Sequence, residues 1–134
     1  MNGYLLDTHT FLWTLIDPKK LPAKVIAKTK DPESEVFLSA VSLWEIALKA
    51  SKGKLDLRGV GLDELIGLAS EMGIATLSLS PEEAISQAHL ADTTHYDPFD
   101  RMLIWQAILR GLTLVSGDTE FARFKKYGLK LLWK

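Results

Sequence analysis

Four acidic residues, Asp7, Glu45, Asp100 and Asp118, stand at positions from which their side chains could be gathered into one reactive cluster. Taken singly, each has an ordinary structural explanation. Asp7, Asp97 and Asp118 sit where a helix wants an N-cap, and an aspartate there accepts a backbone N–H bond worth roughly 1 kcal/mol. Ser42-Leu43-Trp44-Glu45 fits the S-x-x-E capping box, and Asp100 holds the equivalent third position after Asp97, well placed against a helix dipole. Taken together they pose an electrostatic conflict. Carboxylates converging on one cleft repel one another, so some must protonate, the site must lose stability, or a cation must sit among them. Hard oxygen donors, without cysteine and without paired histidines, favour Mg2+ or Mn2+ over zinc. The reaction such an ion serves most naturally is phosphodiester hydrolysis, by activating water and stabilising charge on the phosphoryl and leaving oxygens.

Whether the acids converge depends on the elements that carry them. Short apolar runs alternate with longer helical patterns, the signature of βα units and a largely parallel sheet. The first strand is expected at Tyr4-Leu5-Leu6, before a helix through Phe11, Leu12, Leu15 and Ile16 that stops near Asp17-Pro18; Pro22 reads as the first helical residue of the next segment, which ends around Asp31-Pro32. Val36-Phe37-Leu38 is the second strand, and the Ser42 capping box is expected to open a helix running to Lys52-Gly53. Leu62, Leu65, Ile66 and Ala69 recur at helical spacing, and Ile74 to Leu79 offers a third strand. Ser80-Pro81-Glu82-Glu83 is a second capping box, Asp97-Pro98-Phe99-Asp100 opens a helix closed by Gly111, and Leu112 to Val115 is the fourth strand. A short helix from Asp118 to Gly128 and a strand from Leu129 to Trp133 complete the chain.

In a parallel sheet, strand-to-helix junctions of one direction share one edge, and ligands bind outside the carboxyl ends of the strands. Asp7 follows the first strand, Glu45 lies just beyond the second, and Asp118 follows the fourth. Asp100 opens the helix that leads into the fourth strand, and is expected near the same edge.

The 134 residues fit a single domain, 1–134, long enough to bury a proper core, and 47% hydrophobic against 25% charged residues is an ordinary globular balance. Cysteine is absent, which excludes disulfides and thiolate zinc sites. The chain begins without the pattern of a signal peptide, and no apolar run reaches membrane-spanning length, so an intracellular protein with no membrane association is expected. A formal net charge of −1 gives no global attraction to polyanions, so a nucleic-acid surface must come from local clusters of Lys and Arg.

Leu5-Leu6-Asp7-Thr8-His9, Ser39-Ala40-Val41-Ser42-Leu43-Trp44-Glu45-Ile46, Asp97-Pro98-Phe99-Asp100-Arg101 and Val115-Ser116-Gly117-Asp118 resemble, in order and spacing, the PIN-domain ribonucleases, and among them the VapC toxins of bacterial and archaeal toxin–antitoxin systems. The resemblance covers essentially the whole chain. It implies a three-layer α/β fold with a five-stranded sheet in the order 3-2-1-4-5 and Mg2+- or Mn2+-dependent cleavage of RNA in the cytoplasm. It also implies homodimerisation, and inhibition by a cognate antitoxin laid into the active-site groove. Carried over residue by residue, it makes Asp7, Glu45, Asp100 and Asp118 the acidic site, with Thr8 and Ser116 as hydroxyl neighbours. Asp7 and Asp100 are then the first choices as direct metal ligands. Asp118 is a ligand or a holder of metal-bound water, and Glu45 is a further metal ligand or orients or deprotonates the attacking water.

Several other residues carry two readings. Asp97 is a ligand or, as the following proline favours, a helix cap. Ser116 binds a carboxylate or phosphate, or satisfies backbone. Arg101 contacts phosphate or steadies Asp100, or is a solvated first-turn arginine. Lys49, Lys52 and Lys54 line an RNA path or form a solvated helix face, and Lys49 is one turn from Glu45 and can pair with it. His9, His89 and His95 show no metal-ligand spacing, while Trp13, Trp44 and Trp105 fall on helical patterns where core or interface packing is the default. Other functions compete: a PIN nuclease of RNA processing, a phosphoacceptor signalling domain, or a non-catalytic interaction module. Glu45 and Asp100 have no evident job in a phosphoacceptor, and four unused acids in one cleft would be costly to an interaction module.

Overall fold

A computed structural model describes residues 2–94 and 97–134. Five parallel strands form one sheet in the order β3-β2-β1-β4-β5: β1 (Asn2–Leu6), β2 (Ser34–Ser39), β3 (Ile74–Leu77), β4 (Thr113–Val115) and β5 (Lys130–Leu132). The helices are α1 (Thr8–Ile16), α2 (Ala23–Lys30), α3 (Ala40–Ser51), α4 (Leu65–Glu71), α5 (Pro81–Ser86) and α6 (Pro98–Arg110), with a 3-10 helix over Thr119–Tyr127.

The apolar run of β1 is buried on both faces, as expected of a central strand covered by helices on each side. Its alternation sorts the core into two layers. Tyr4 and Leu6 pack with Phe11, Val25, Leu38 and Ile46 on one face, and Leu5 packs with Leu103, Leu114, Phe121 and Phe124 on the other. From β1 the chain builds outward through β2 and β3, then returns to build β4 and β5 on the other side of β1. The direction of winding therefore reverses between β1 and β4, and the loops leaving those two strands diverge to open a crevice at the carboxyl edge of the sheet.

The expected order of elements holds, with local corrections. Helix α3 does not begin at a Ser42–Glu45 capping box. It begins three residues earlier, where Ser39 ends β2 and its Oγ accepts the Val41 N–H at 3.0 Å, so that Ser42 and Glu45 are buried within the helix. Pro22 is the N-cap of α2, with extended backbone (ψ 150°), rather than its first helical residue. The third strand stops at Leu77 because the Ser78 carbonyl turns away to accept from Gln106 Nε2 and Arg110 Nη2. The last helix is 3-10, and β5 is three residues long. The Ser80–Glu83 capping box, the Asp97 and Asp118 caps and the left-handed stops at Gly111 and Gly128 are present as expected. His95 lies outside the described residues. Among those described, no helix is long and apolar enough to cross a membrane.

Glu83 does more than cap α5. Its carboxylate accepts from Arg110 Nε at 2.7 Å and Nη2 at 3.0 Å and from Gln106 Nε2 at 3.1 Å, while Gln106 Oε1 accepts from Ser39 Oγ at 2.6 Å. This polar chain, buried at Ser39, Gln106 and Glu83 and reaching solvent at Arg110, ties α5 to α6 and to the start of α3. The Arg110 bonds are the main cause that holds the Glu83 carboxyl down at about 2, against an ordinary value of 4.5. A carboxyl whose value is depressed in the folded state stabilises fully above its unfolded value, and that stabilisation is lost as pH falls through the folded one. Because about a third of the Arg110 side chain is open to solvent, which screens the pair, Arg110→Met is expected to cost on the order of 1–2 kcal/mol at pH 7, with the cost shrinking as pH falls from about 4.5 towards 2. Urea unfolding of both proteins at pH 7 and pH 3 measures this, and an equal cost at both pH values would refute the assignment.

Candidate active site

The crevice at the β1/β4 reversal holds a cleft of about 430 Å3, and Asp7, Glu45, Asp97, Asp100 and Asp118 all line it. Asp7 leaves β1 with its N–H on the Val115 carbonyl of β4 at 3.1 Å, which fixes it beside the neighbouring strand. Its Oδ1 accepts the Thr10 N–H at 2.8 Å and so caps α1. Only 7% of Asp7 is exposed, and burial pushes its carboxyl above the ordinary range despite hydrogen bonds from Ser116 and Thr10. Asp118 leaves β4 one turn later, its Oδ1 accepting the Glu120 N–H and its own N–H held by Ser116 Oγ at 3.1 Å. Thus Ser116 bridges the two strand-end acids.

Glu45 reaches the cleft from the second turn of α3 and is 3% exposed. Thr8 Oγ1 donates to its Oε1 at 2.6 Å, and Lys49 Nζ to its Oε2 at 2.5 Å. Thr8 Oγ1 also lies 3.0 Å from Ser42 Oγ. Since the single Thr8 proton is given to Glu45, Ser42 supplies the proton of that second contact. The serine and glutamate that looked like a capping pair are both partners of the residue that follows Asp7. Asp97 caps α6 by accepting the Phe99 and Asp100 N–H groups on Oδ1, at 2.9 and 3.0 Å, and thereby sets Asp100 on the first turn facing the same cleft.

The structure thus gathers the four expected acids and adds Asp97, which caps its helix and lines the cleft at once. Arg101 goes elsewhere: its guanidinium donates to the carbonyls of Asp92 and Leu90, tying down the segment that leads to α6. Sequence reading missed the opposite wall. Trp133 lines the cleft with Trp13, their ring centroids 5.8 Å apart, beside His9 and Phe121. The clue lay in Gly117, where a Cβ would stand 2.7 Å from the Trp133 indole.

Among the described residues that line the cleft, five carboxylates face one lysine, Lys49. The Glu45 bond chiefly holds the Lys49 ammonium above its ordinary value, and the charges of Asp97 and Asp100 add to it. The residues fit a divalent cation on two observations of this structure: the excess of negative charge, and the desolvated Asp7 carboxyl at its centre. The donors are all oxygen. No three acids among the described residues form a ready-made cage. Lys49 is the counter-ion that these carboxylates hold, and it would compete with a divalent cation for them. Lys49→Met is expected to tighten Mn2+ binding by roughly tenfold, as a unit positive charge leaves the site; electron paramagnetic resonance of free Mn2+ reads this, and weaker binding would overturn it.

The model of the PIN domain family matches residues 4–127. Ribonuclease VapC22 of Mycobacterium tuberculosis is 28% identical over 118 residues, 88% of each chain. The tRNA(fMet)-specific endonuclease VapC of Shigella flexneri is 28% identical over 127 residues, 92% of each chain. Among solved structures, VapBC2 from Rickettsia felis, bound to a DNA fragment from its promoter, superposes with a TM-score of 0.71 at 17% identity, covering 98% of this chain and 99% of that one, a likeness of fold. The family match, from Tyr4 to Tyr127, takes in β1 to β4, the helices and all five cleft acids, and the chain belongs to the PIN-domain family.

Proposed function

We propose that the protein is a divalent-metal-dependent endoribonuclease, the toxin of a toxin–antitoxin pair, working in the cytoplasm of a bacterium or archaeon. The observation that carries this reading is the cleft itself, five carboxylates against one lysine at the reversal point of a PIN-domain sheet. Family membership implies a divalent metal; Mg2+ or Mn2+ is the choice that the all-oxygen donor set favours. The names of the relatives support RNA as substrate and an antitoxin as partner. A phosphoacceptor role leaves Glu45 and Asp100 without work, and membership of the PIN family speaks against it.

Asp7, Asp100 and Asp118 would hold the ion, with Asp97 a further donor. When bound, it supplies Lewis acidity towards the phosphodiester and lowers the pKa of water. The chain's own residues do the rest. Ser116 fixes the Asp118 backbone and hydrogen-bonds Asp7, so the two strand-end acids keep a set spacing. Thr8 anchors Glu45 Oε1, leaving Oε2, held by the partly exposed Lys49, as the oxygen that can take a proton from water once the lysine turns to a substrate phosphate. A second copy of the chain is the partner suggested by Trp44, Ile85 and Leu109, which are 59%, 78% and 50% exposed on α3, α5 and α6, helices that pack on one another.

Purified protein incubated with RNA is expected to cleave it with Mg2+ or Mn2+ and to stop on addition of EDTA. Asp7→Asn keeps a capping side chain but removes the charge, and is expected to lose on the order of a hundredfold or more in rate. Cleavage that survives EDTA, or runs undiminished in Asp7→Asn, would sink the metal mechanism. Rescue of growth by coexpressing a small protein encoded beside it would distinguish a toxin from a housekeeping PIN nuclease.

A further inference from the structure

The lining of the cleft combines two kinds of residue. Beside the acids stand Trp13, Trp133 and His9, with the His9 and Trp13 ring centroids 6.1 Å apart. Acids repel a polyanion, so attraction for RNA must come from stacking and from cations outside the acid cluster. Both are present on the Trp133 side. That indole also borders a second hollow of about 320 Å3, which shares Gly117 and Asp118 with the cleft and adds Thr119, Lys125 and Lys134. On the other flank, Lys20 Nζ lies 5.5 Å over the Trp13 ring. Trp133 is half-buried and rests so close on Gly117 that no side chain fits between them, so the indole is fixed where the two hollows meet.

We propose that the Trp13–Trp133 wall and the adjoining Lys125 hollow form a subsite for one unpaired nucleotide of the RNA strand, next to the scissile phosphate. The base stacks on the Trp133 indole, with Trp13, tilted 47° to it, alongside, and the phosphate beyond it is neutralised by Lys125. This rests on the ribonuclease reading above and narrows it to single-stranded substrate, since a paired base offers no free face for stacking. Fixed aromatic rings bordered by lysines are the arrangement by which single strands are held without base-edge readout, so the subsite selects for an exposed base more than for its identity.

The test is fluorescence anisotropy of a labelled RNA octamer with Mg2+, in an Asp7→Asn background that binds without cutting, with thermal unfolding of each variant followed in parallel. Trp133→Leu is expected to weaken binding by roughly tenfold to a hundredfold, while Trp133→Phe keeps affinity within a few-fold. Lys125→Gln, an exposed change that leaves the core intact, is expected to weaken binding and to lower the salt slope by about 0.7, the loss of one phosphate contact on a single strand. An octamer abasic at the stacked position should lose affinity with the unmodified tryptophan and be indifferent to Trp133→Leu. Unchanged affinity in both Trp133→Leu and Lys125→Gln, or equal affinity for duplex and single strand, would overturn the subsite while the wild-type protein still cleaves RNA. Failure of the wild-type protein to cleave any RNA would instead overturn the ribonuclease reading, and the subsite with it.

Discussion

Strand β1 is paired on both edges and covered on both faces, and the reversal of winding beside it determines where everything else in the site must go. Because β1 and β4 are neighbours in space but far apart in sequence, the residues that leave them, Asp7 and Asp118, are brought together by strand pairing rather than by any local preference. The Leu6–Val115 register and the bond from the Asp7 N–H to the Val115 carbonyl set this spacing at the backbone level. Side-chain rotamers then have little left to adjust. A site built in this way is set by backbone pairing at the strand ends and by helix packing on its other side, where Glu45 and Asp100 enter from α3 and α6.

The arrangement carries an electrostatic cost that the protein meets in two ways. Each strand-end or helix-end acid serves as a cap, so backbone N–H groups and helix dipoles offset part of its charge. The remainder falls on Asp7, whose burial disfavours ionisation, and on Lys49, the one lysine among the described residues that line the cleft. Capping and chemistry are therefore not rivals here. The hydrogen bonds that make these aspartates ordinary helix starts are what allow them to be crowded together before a cation arrives.

Most of the fold was legible because its signals are local: alternating apolar runs, Pro and Gly punctuation, and caps at Ser80, Asp97 and Asp118. The acidic site was legible because strand-end position in a parallel sheet converts sequence order into a shared edge. What misled was local pattern with a distant purpose. Ser42 and Glu45 have capping-box spacing, yet their partner is Thr8, 34 and 37 residues away in sequence, and Ser39 takes the cap. Arg101 sits beside a catalytic candidate but is spent on two carbonyls. Trp133 carried no periodic signal at all, because its role depends on the absence of a side chain at Gly117.

The chain from Ser39 through Gln106 to Glu83, closed at the surface by Arg110, shows how the helical half of the site is kept in place. Helix α3 is capped by Ser39, and the same hydroxyl donates to Gln106 on α6, so the helices that deliver Glu45 and Asp100 share one hydrogen-bonded joint. Arg110, itself reaching solvent, pairs with the buried Glu83 carboxylate of α5, so that the one buried charge of the joint is paired and hydrogen-bonded. An apolar contact could pack these helices as tightly. It would not fix their axial register, because apolar surfaces slide with little penalty whereas a displaced buried hydrogen bond leaves donors unmet. For two carboxylates that must face each other across a cleft, axial register is the quantity that matters, which gives a physical reason for polar residues in the middle of an otherwise apolar helix face.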